Sequence, residues 1–144
     1  MLPRILLIVA VGSLLLGCRQ SREPDGRNLI PLRSSVIFSL EEEEGKVRLL
    51  MWTTEVFPCL NYELRTDYRQ RKSRFEVTIK GIVPPRTCFG KEGPARYTRS
   101  LGSLSGTYEL VIRSQRETDR YRVTVVRDRI RIRPMQQSFT DYWR

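Results

Sequence analysis

Histidine is missing from this chain of 144 residues. That excludes Ser-His-Asp and Cys-His catalysis, zinc sites built on imidazole, and a histidine pH switch. Carboxylate chemistry survives the exclusion. However, the sequence has no Gly-rich phosphate loop, no GxSxG elbow, no SxxK and no metal-ligand cluster. No catalytic residue, metal or cofactor is expected, and the chain is read as non-enzymatic. Lysine is scarce: only Lys46, Lys72, Lys80 and Lys91 among 26 basic residues. Set against 16 acidic residues, the formal charge of +10 rests mainly on arginine. The guanidinium grips a carboxylate or phosphate at two points, which an ammonium cannot do. A GC-rich genome would produce the same bias without function. Long apolar runs are missing too. The one present, Ile5 to Leu16, has about a dozen residues, the length of a signal-peptide core and too short to span a bilayer.

That run follows a single positive charge, Arg4, and ends Leu15-Leu16-Gly17-Cys18. The ending resembles the lipobox of bacterial lipoproteins, with Leu15 at −3, small Gly17 at −1 and Cys18 as acceptor. The resemblance covers residues 1–18 only. It implies that 1–17 is a lipoprotein signal peptide, that diacylglycerol joins Cys18 by a thioether, and that cleavage falls before Cys18. The expected address is the cell envelope. Arg19 stands where Asp would mark inner-membrane retention in this family, so the outer membrane is favoured in a bacterium with two membranes. Several acyl chains anchor stably where one holds only marginally. Residues 18–33 are read as the lipidated cysteine and a flexible tether. The segment is polar, carries Pro24, Gly26 and Pro31, and has a typical reach of roughly 20 Å.

With Cys18 lipidated, Cys59 and Cys88 remain. In an oxidising compartment two cysteines form one pair without choice. The bond would close a loop of about 30 residues, worth about 3.5 kcal/mol by chain entropy. The alternative is a pair of reactive thiols. Neither cysteine lies in a CxxC, and no histidine is available to activate one.

From residue 34 the apolar pattern has period two. Phe75, Val77 and Ile79 alternate with polar residues, as do Leu60, Tyr62 and Leu64, and Tyr108, Leu110 and Ile112. Val36-Ile37-Phe38 and 47–56 are further apolar runs. Gly45, Pro58, Pro84-Pro85, Gly102 and Gly106 punctuate them. A two-residue turn at Arg127-Asp128 pairs Val125 with Ile130 and Val123 with Ile132 on one face. On the other face it pairs Val126 with Arg129, Thr124 with Arg131 and Arg122 with Arg133. Both strands then sort apolar from polar under one register. Gly106-Thr107-Tyr108 resembles the tyrosine corner of immunoglobulin-like domains, which implies that Tyr108 anchors the entry to a late strand. The expected fold is all-β: an antiparallel immunoglobulin-like β-sandwich of about seven strands over 34–134, with one disulfide. Residues 135–144 form a C-terminal aromatic tail.

The sharpest candidate site is an arginine face. Arg129, Arg131 and Arg133 alternate along one strand, Arg122 lies opposite Arg133, and Arg113 falls on a neighbouring strand. Like charges directly opposite destabilise a sheet, so compensation is expected. Glu109, Glu117 and Asp119 could supply it from inside, and a bound polyanion from outside. The competing reading is a solvated face that blunts an edge strand. Glu41 to Glu44 could offer oxygens to calcium but reads better as a hairpin tip, lacking the spacing of a calcium loop. The long stretch 86–105, pinned by Cys88, is either a functional loop or an irregular connection with one short strand near 95–101. The aromatic tail is a partner hook or a core cap.

Taken together, the sequence leads to a lipid-anchored envelope protein that acts as a binding or scaffolding module. Its expected partners are the membrane, through lipid on Cys18, and an envelope protein or an anionic glycan or lipid. Nucleic acid is not expected. The rival readings are a binder of anionic envelope polymer or lipid through the arginine face, and an inhibitor of a secreted hydrolase that uses the disulfide-pinned loop.

Overall fold

The computed structural model describes residues 28–127 and 129–143. The expected signal peptide, the expected lipid acceptor Cys18 and the first part of the expected tether therefore lie outside the described residues. Among the described residues nine strands follow one another: β1 Val36–Glu43, β2 Lys46–Phe57, β3 Glu63–Arg71, β4 Arg74–Val83, β5 Gly93–Gly102, β6 Gly106–Arg113, β7 Thr118–Val126, β8 Arg129–Gln136 and β9 Thr140–Tyr142. Three hairpins, β1–β2, β3–β4 and β7–β8, close with two residues between the last paired positions. In each, the first turn residue has positive φ: Glu44 at 53°, Lys72 at 50° and Arg127 at 53°. That backbone twist matches the strands on either side. Only the first hairpin places glycine, Gly45, in the turn.

The strands form one sheet in the order β8-β7-β6-β4-β3-β5-β2-β1-β9. This corrects the expected immunoglobulin-like β-sandwich: there is one curled sheet, a half-barrel, instead of two packed sheets. It is also mixed instead of antiparallel, since β1–β9, β3–β5 and β4–β6 run parallel. Alternation shows which residues of a strand face the core. It does not show whether the sheet that carries them splits in two or bends round. Bulges interrupt the ladders where β2 carries extra residues between Trp52 and Val56 against β5, and where β4 carries the extra residue Lys80 opposite the Arg65–Thr66 step of β3. Such irregularities raise the local twist and turn a strand out of plane. The join at the middle of the sheet is slender: β3 and β5 share the single pair Glu63↔Arg96, supported by the Arg96 amide donating to the Tyr62 carbonyl at 3.1 Å.

Side chains from the concave face fill the interior. Phe38, Leu49, Met51, Phe75, Ile79, Ile82, Leu110, Ile112 and Tyr121 are the largest fully buried ones. Residues before and after the expected domain also enter the sheet. Ile30 exchanges two backbone hydrogen bonds with Ile82, at 2.9 and 2.8 Å. At the other end β9 pairs with the start of β1, Val36↔Thr140 to Phe38↔Tyr142. Phe139 is buried, and Tyr142 lies 6.1 Å from both the Phe38 and Tyr121 rings. Trp143 alone of these tail aromatics is largely exposed, at 69%.

The cysteines Cys59 and Cys88 form the disulfide, between the β2–β3 and β4–β5 connections. Of the stretch 86–105, the second half is the ten-residue strand β5, so the irregular connection runs only over 84–92. Its glycines Gly90 and Gly93 sit directly against Leu60: a Cβ on either would come within 2.7 and 2.5 Å of that side chain.

Candidate functional site

The β7–β8 register follows the alternation read from the sequence. Val125 faces Ile130 and Val123 faces Ile132, while Val126 faces Arg129, Thr124 faces Arg131 and Arg122 faces Arg133. Inward Val123 and Val125 are buried, and outward Arg122, Arg129, Arg131 and Arg133 are exposed. Four of the five singled-out arginines therefore share one surface. Arg113 does not join them. Its guanidinium Nε sits 3.0 Å from Glu76 Oε1 on β4, in a local ion pair.

Of the acids that might neutralise this face, Glu109 and Asp119 are engaged elsewhere. Glu109 neighbours Arg122 across β6–β7. Its Oε2 takes both Nε and Nη2 of Arg74, each at 2.7 Å, and its Oε1 faces Arg120 Nη1 at 3.4 Å. Asp119 points inward and is fully buried. Glu43, at the β1–β2 tip, pairs with Arg48, and Glu42 accepts the Gly45 amide at 2.7 Å, as a hairpin tip does. Among the described residues, Arg122, Arg129, Arg131 and Arg133 have no carboxylate within ion-pair distance.

Curling brings the sheet round until β8 faces β1 across an open seam. A groove of about 650 Å³ runs along it. Arg122, Arg131 and Arg133 line one side with Ile130 and Ile132, and Leu40, Tyr142 and Trp143 line the other. A second depression of about 620 Å³ continues past Thr124, Val126, Arg127, Arg129 and Arg131. Charge and exposed apolar surface thus meet along the β8 edge. The sequence suggested the arginines; it did not suggest Leu40 and Trp143 as the opposite wall, because that contact depends on how far the sheet curls.

Beneath the site, one buried carboxylate holds the turn from β8 into β9. Asp119 Oδ1 accepts the Ser138 amide at 2.8 Å and its hydroxyl at 2.6 Å. Oδ2 accepts the Phe139 amide at 3.1 Å, the Thr140 amide at 2.7 Å and the Thr140 hydroxyl at 2.6 Å. Burial by itself would raise the Asp119 pKa. The hydroxyls of Ser138 and Thr140, with the amides of Thr140 and Phe139, outweigh it and hold the pKa below the ordinary carboxylate value. Two residues on, the Tyr121 hydroxyl lies 2.7 Å from the Thr140 hydroxyl and 3.0 Å from its carbonyl, to which it donates. Burial pushes this phenol up to about 12, against the Thr140 hydrogen bond that favours ionisation, with Asp119 and Asp141 adding to the rise. Both residues were open to detection: Asp119 and Tyr121 occupy positions in phase with the apolar face of β7.

At the opposite pole the disulfide holds the 84–92 connection against the β2–β3 loop. Asn61 reinforces it, donating from Nδ2 to the Thr87 carbonyl at 2.7 Å and accepting the Phe89 amide at 3.2 Å. Val56, Leu60 and Phe89 are exposed here. The tyrosine-corner contact also forms: the Tyr108 hydroxyl donates to the Ser105 carbonyl at 2.9 Å and accepts the Ser105 amide at 3.2 Å. It does so inside a half-barrel, so the contact is a local device and not a signature of the sandwich.

No protein-family model matches the chain, and no curated protein or solved structure matches it.

Proposed function

We propose that this chain is a non-enzymatic envelope module, tethered by lipid on Cys18, that binds an anionic envelope component through the β7–β8 arginine face. One observation carries the reading. Four exposed arginines share a surface, two of them directly opposite each other, and among the described residues none has a carboxylate within ion-pair distance. Such an arrangement costs stability, and an external anion would offset that cost. Guanidinium groups suit phosphate, carboxylate and sulfate alike. The Cys59–Cys88 disulfide fits an oxidising compartment. The adjacent groove adds apolar surface beside the charge.

The test uses the full-length chain and a variant with Arg122, Arg129, Arg131 and Arg133 all replaced by Gln. Each is titrated with heparin and with phosphatidylglycerol vesicles. Binding should fall steeply with salt and should be lost in the variant. Salt-independent binding, or undiminished binding by the variant, refutes the reading. The tether is tested separately: Cys18→Ala should abolish lipid labelling and membrane retention, and persistent labelling would rule Cys18 out as the acceptor.

A further inference from the structure

The β8 edge carries more information than charge. Among the described residues, β8 hydrogen-bonds to β7 alone, so its seam side presents unpaired main-chain donors and acceptors. Along that edge exposed Arg129, Arg131 and Arg133 alternate with half-buried Ile130 and Ile132, which pack on the core, and Arg131, Arg133 and both isoleucines border the groove. Pro134 follows, which limits ladder formation to 129–133. Across the seam, β9 covers β1 only over residues 36–38.

We infer that β8 accepts an added strand: an extended acidic segment of a partner protein lies along the seam, with carboxylates opposite Arg129, Arg131 and Arg133 and apolar side chains between them over Ile130 and Ile132. The inference rests on the anion-binding role proposed above for the same arginines and names its ligand. Charge complementarity sets the sign of the ligand. The spacing sets its class. Arginines two residues apart on a strand repeat at about 7 Å, which is the repeat of same-face side chains on a neighbouring strand. Only a polypeptide also supplies main-chain groups in register with those of β8. Main-chain bonds then give affinity and alternate side chains give specificity, as in other strand-addition complexes. A glycan or lipid headgroup would satisfy the charges and leave the edge unpaired.

The test uses the full-length chain held in phosphatidylcholine nanodiscs, free of detergent, and three probes. The first is a blocked nine-residue peptide with Glu at alternate positions and Val between. The second has the same composition with Glu and Val in separate blocks, and the third is phosphatidylglycerol vesicles. Affinity and amide hydrogen exchange are read together. The alternating peptide should bind at least about tenfold tighter than the block peptide, a difference of about 1.4 kcal/mol, and should slow exchange within 129–133. Replacing Arg129, Arg131 and Arg133 with Glu should abolish that binding and admit the matching Lys–Val peptide instead. Equal binding of both Glu peptides without amide protection would overturn strand addition and leave the anion-binding reading standing, as would binding of vesicles alone. Binding of no probe would overturn both. Amide protection that rises with protein concentration in the absence of peptide, together with a dimer in sedimentation, would overturn the inference in favour of a second copy of this chain.

Discussion

Arg122 stands directly across the β7–β8 ladder from Arg133, and the carboxylate beside them, Glu109, is held by Arg74 and Arg120. The sheet therefore carries a like-charge pair on its outer face that Glu109, opposite Arg122 but not in ion-pair contact with it, offsets only in part. Arg133→Glu turns that pair into an attractive one and should stabilise the fold by about 0.5 kcal/mol at low salt. The same change should weaken heparin binding. Urea midpoints and a binding titration on one preparation check both. A lower midpoint would mean that the pair carries no repulsive strain.

Asp119→Asn should destabilise the protein by about 2–3 kcal/mol at neutral pH. Each carboxylate oxygen accepts only donors, and either orientation of an amide would aim NH2 at some of them and leave buried groups unpaired. The pH dependence has a definite sign. The folded pKa is depressed, so the carboxylate's contribution is complete above the unfolded value of about 3.9 and is lost as pH falls through the folded value. The stability gap between the parent and Asp119→Asn should therefore close below about pH 4. A gap that persists unchanged in acid would show that charge on Asp119 is irrelevant.

Tyr121 governs the alkaline side. Its phenol titrates near 12 in the fold, above an unfolded value of about 10. A raised pKa contributes stability below the unfolded value and loses it as pH rises through the folded one. Ultraviolet titration should show one tyrosine absent from the main transition, and Tyr121→Phe should remove that late step. The variant should also lose about 1 kcal/mol at neutral pH with the hydrogen bond that the hydroxyl donates to the Thr140 carbonyl. An unchanged titration curve in Tyr121→Phe would reject the assignment.

Replacing both Cys59 and Cys88 with Ser should lower stability by about 3.5 kcal/mol without unfolding the sheet. Asn61 and the Leu60 amide, which donates to the Phe89 carbonyl at 3.1 Å, hold the connection in the absence of the bond. Proteolysis should then cut first within 84–92. Binding through the arginine face, at the other pole, should be unaffected. Loss of that binding would show that the two poles are coupled.

Gly81→Ala tests the docking of residues 28–33 on β4. A Cβ at Gly81 would stand 2.9 Å from the Ile30 carbonyl oxygen and 3.1 Å from Leu29 Cβ. The backbone must give way, at a cost of about 1–2 kcal/mol, and the Ile30–Ile82 bridge should open. Faster amide exchange at Ile30 and Ile82 reports it. Unchanged exchange would mean that the strands separate locally without releasing the segment.

Much of the local structure was legible because it rests on period and spacing. Alternation placed Phe75, Val77 and Ile79 inside, and it set the β7–β8 register through Val123, Val125, Ile130 and Ile132. It thereby put Arg122, Arg129, Arg131 and Arg133 on one face. Two cysteines remaining for one bond settled the Cys59–Cys88 pair. Strand β5 was partly missed because residues 96–100 carry Arg, Thr and Ser at outward or rim positions, which hides an apolar period. The tail aromatics stood too close together to reveal that Phe139 and Tyr142 turn inward while Trp143 turns out.

Alternation and chain connectivity were enough to tell which residues of β4, β6, β7 and β8 face the core, where the β1–β2 and β7–β8 hairpins turn, and that basic charge gathers on the last two long strands; they did not tell that Leu60 lies exposed in the loop before β3. Long-range packing sets the rest: the described strands bend into a single half-barrel, β4 lies beside β6 and β1 beside β9, and a seam opens between β8 and β1. Those pairings join residues far apart in the chain. Their geometry is set by bulges, by the interior volume that must be filled and by buried anchors such as Asp119, none of which has a local period to read.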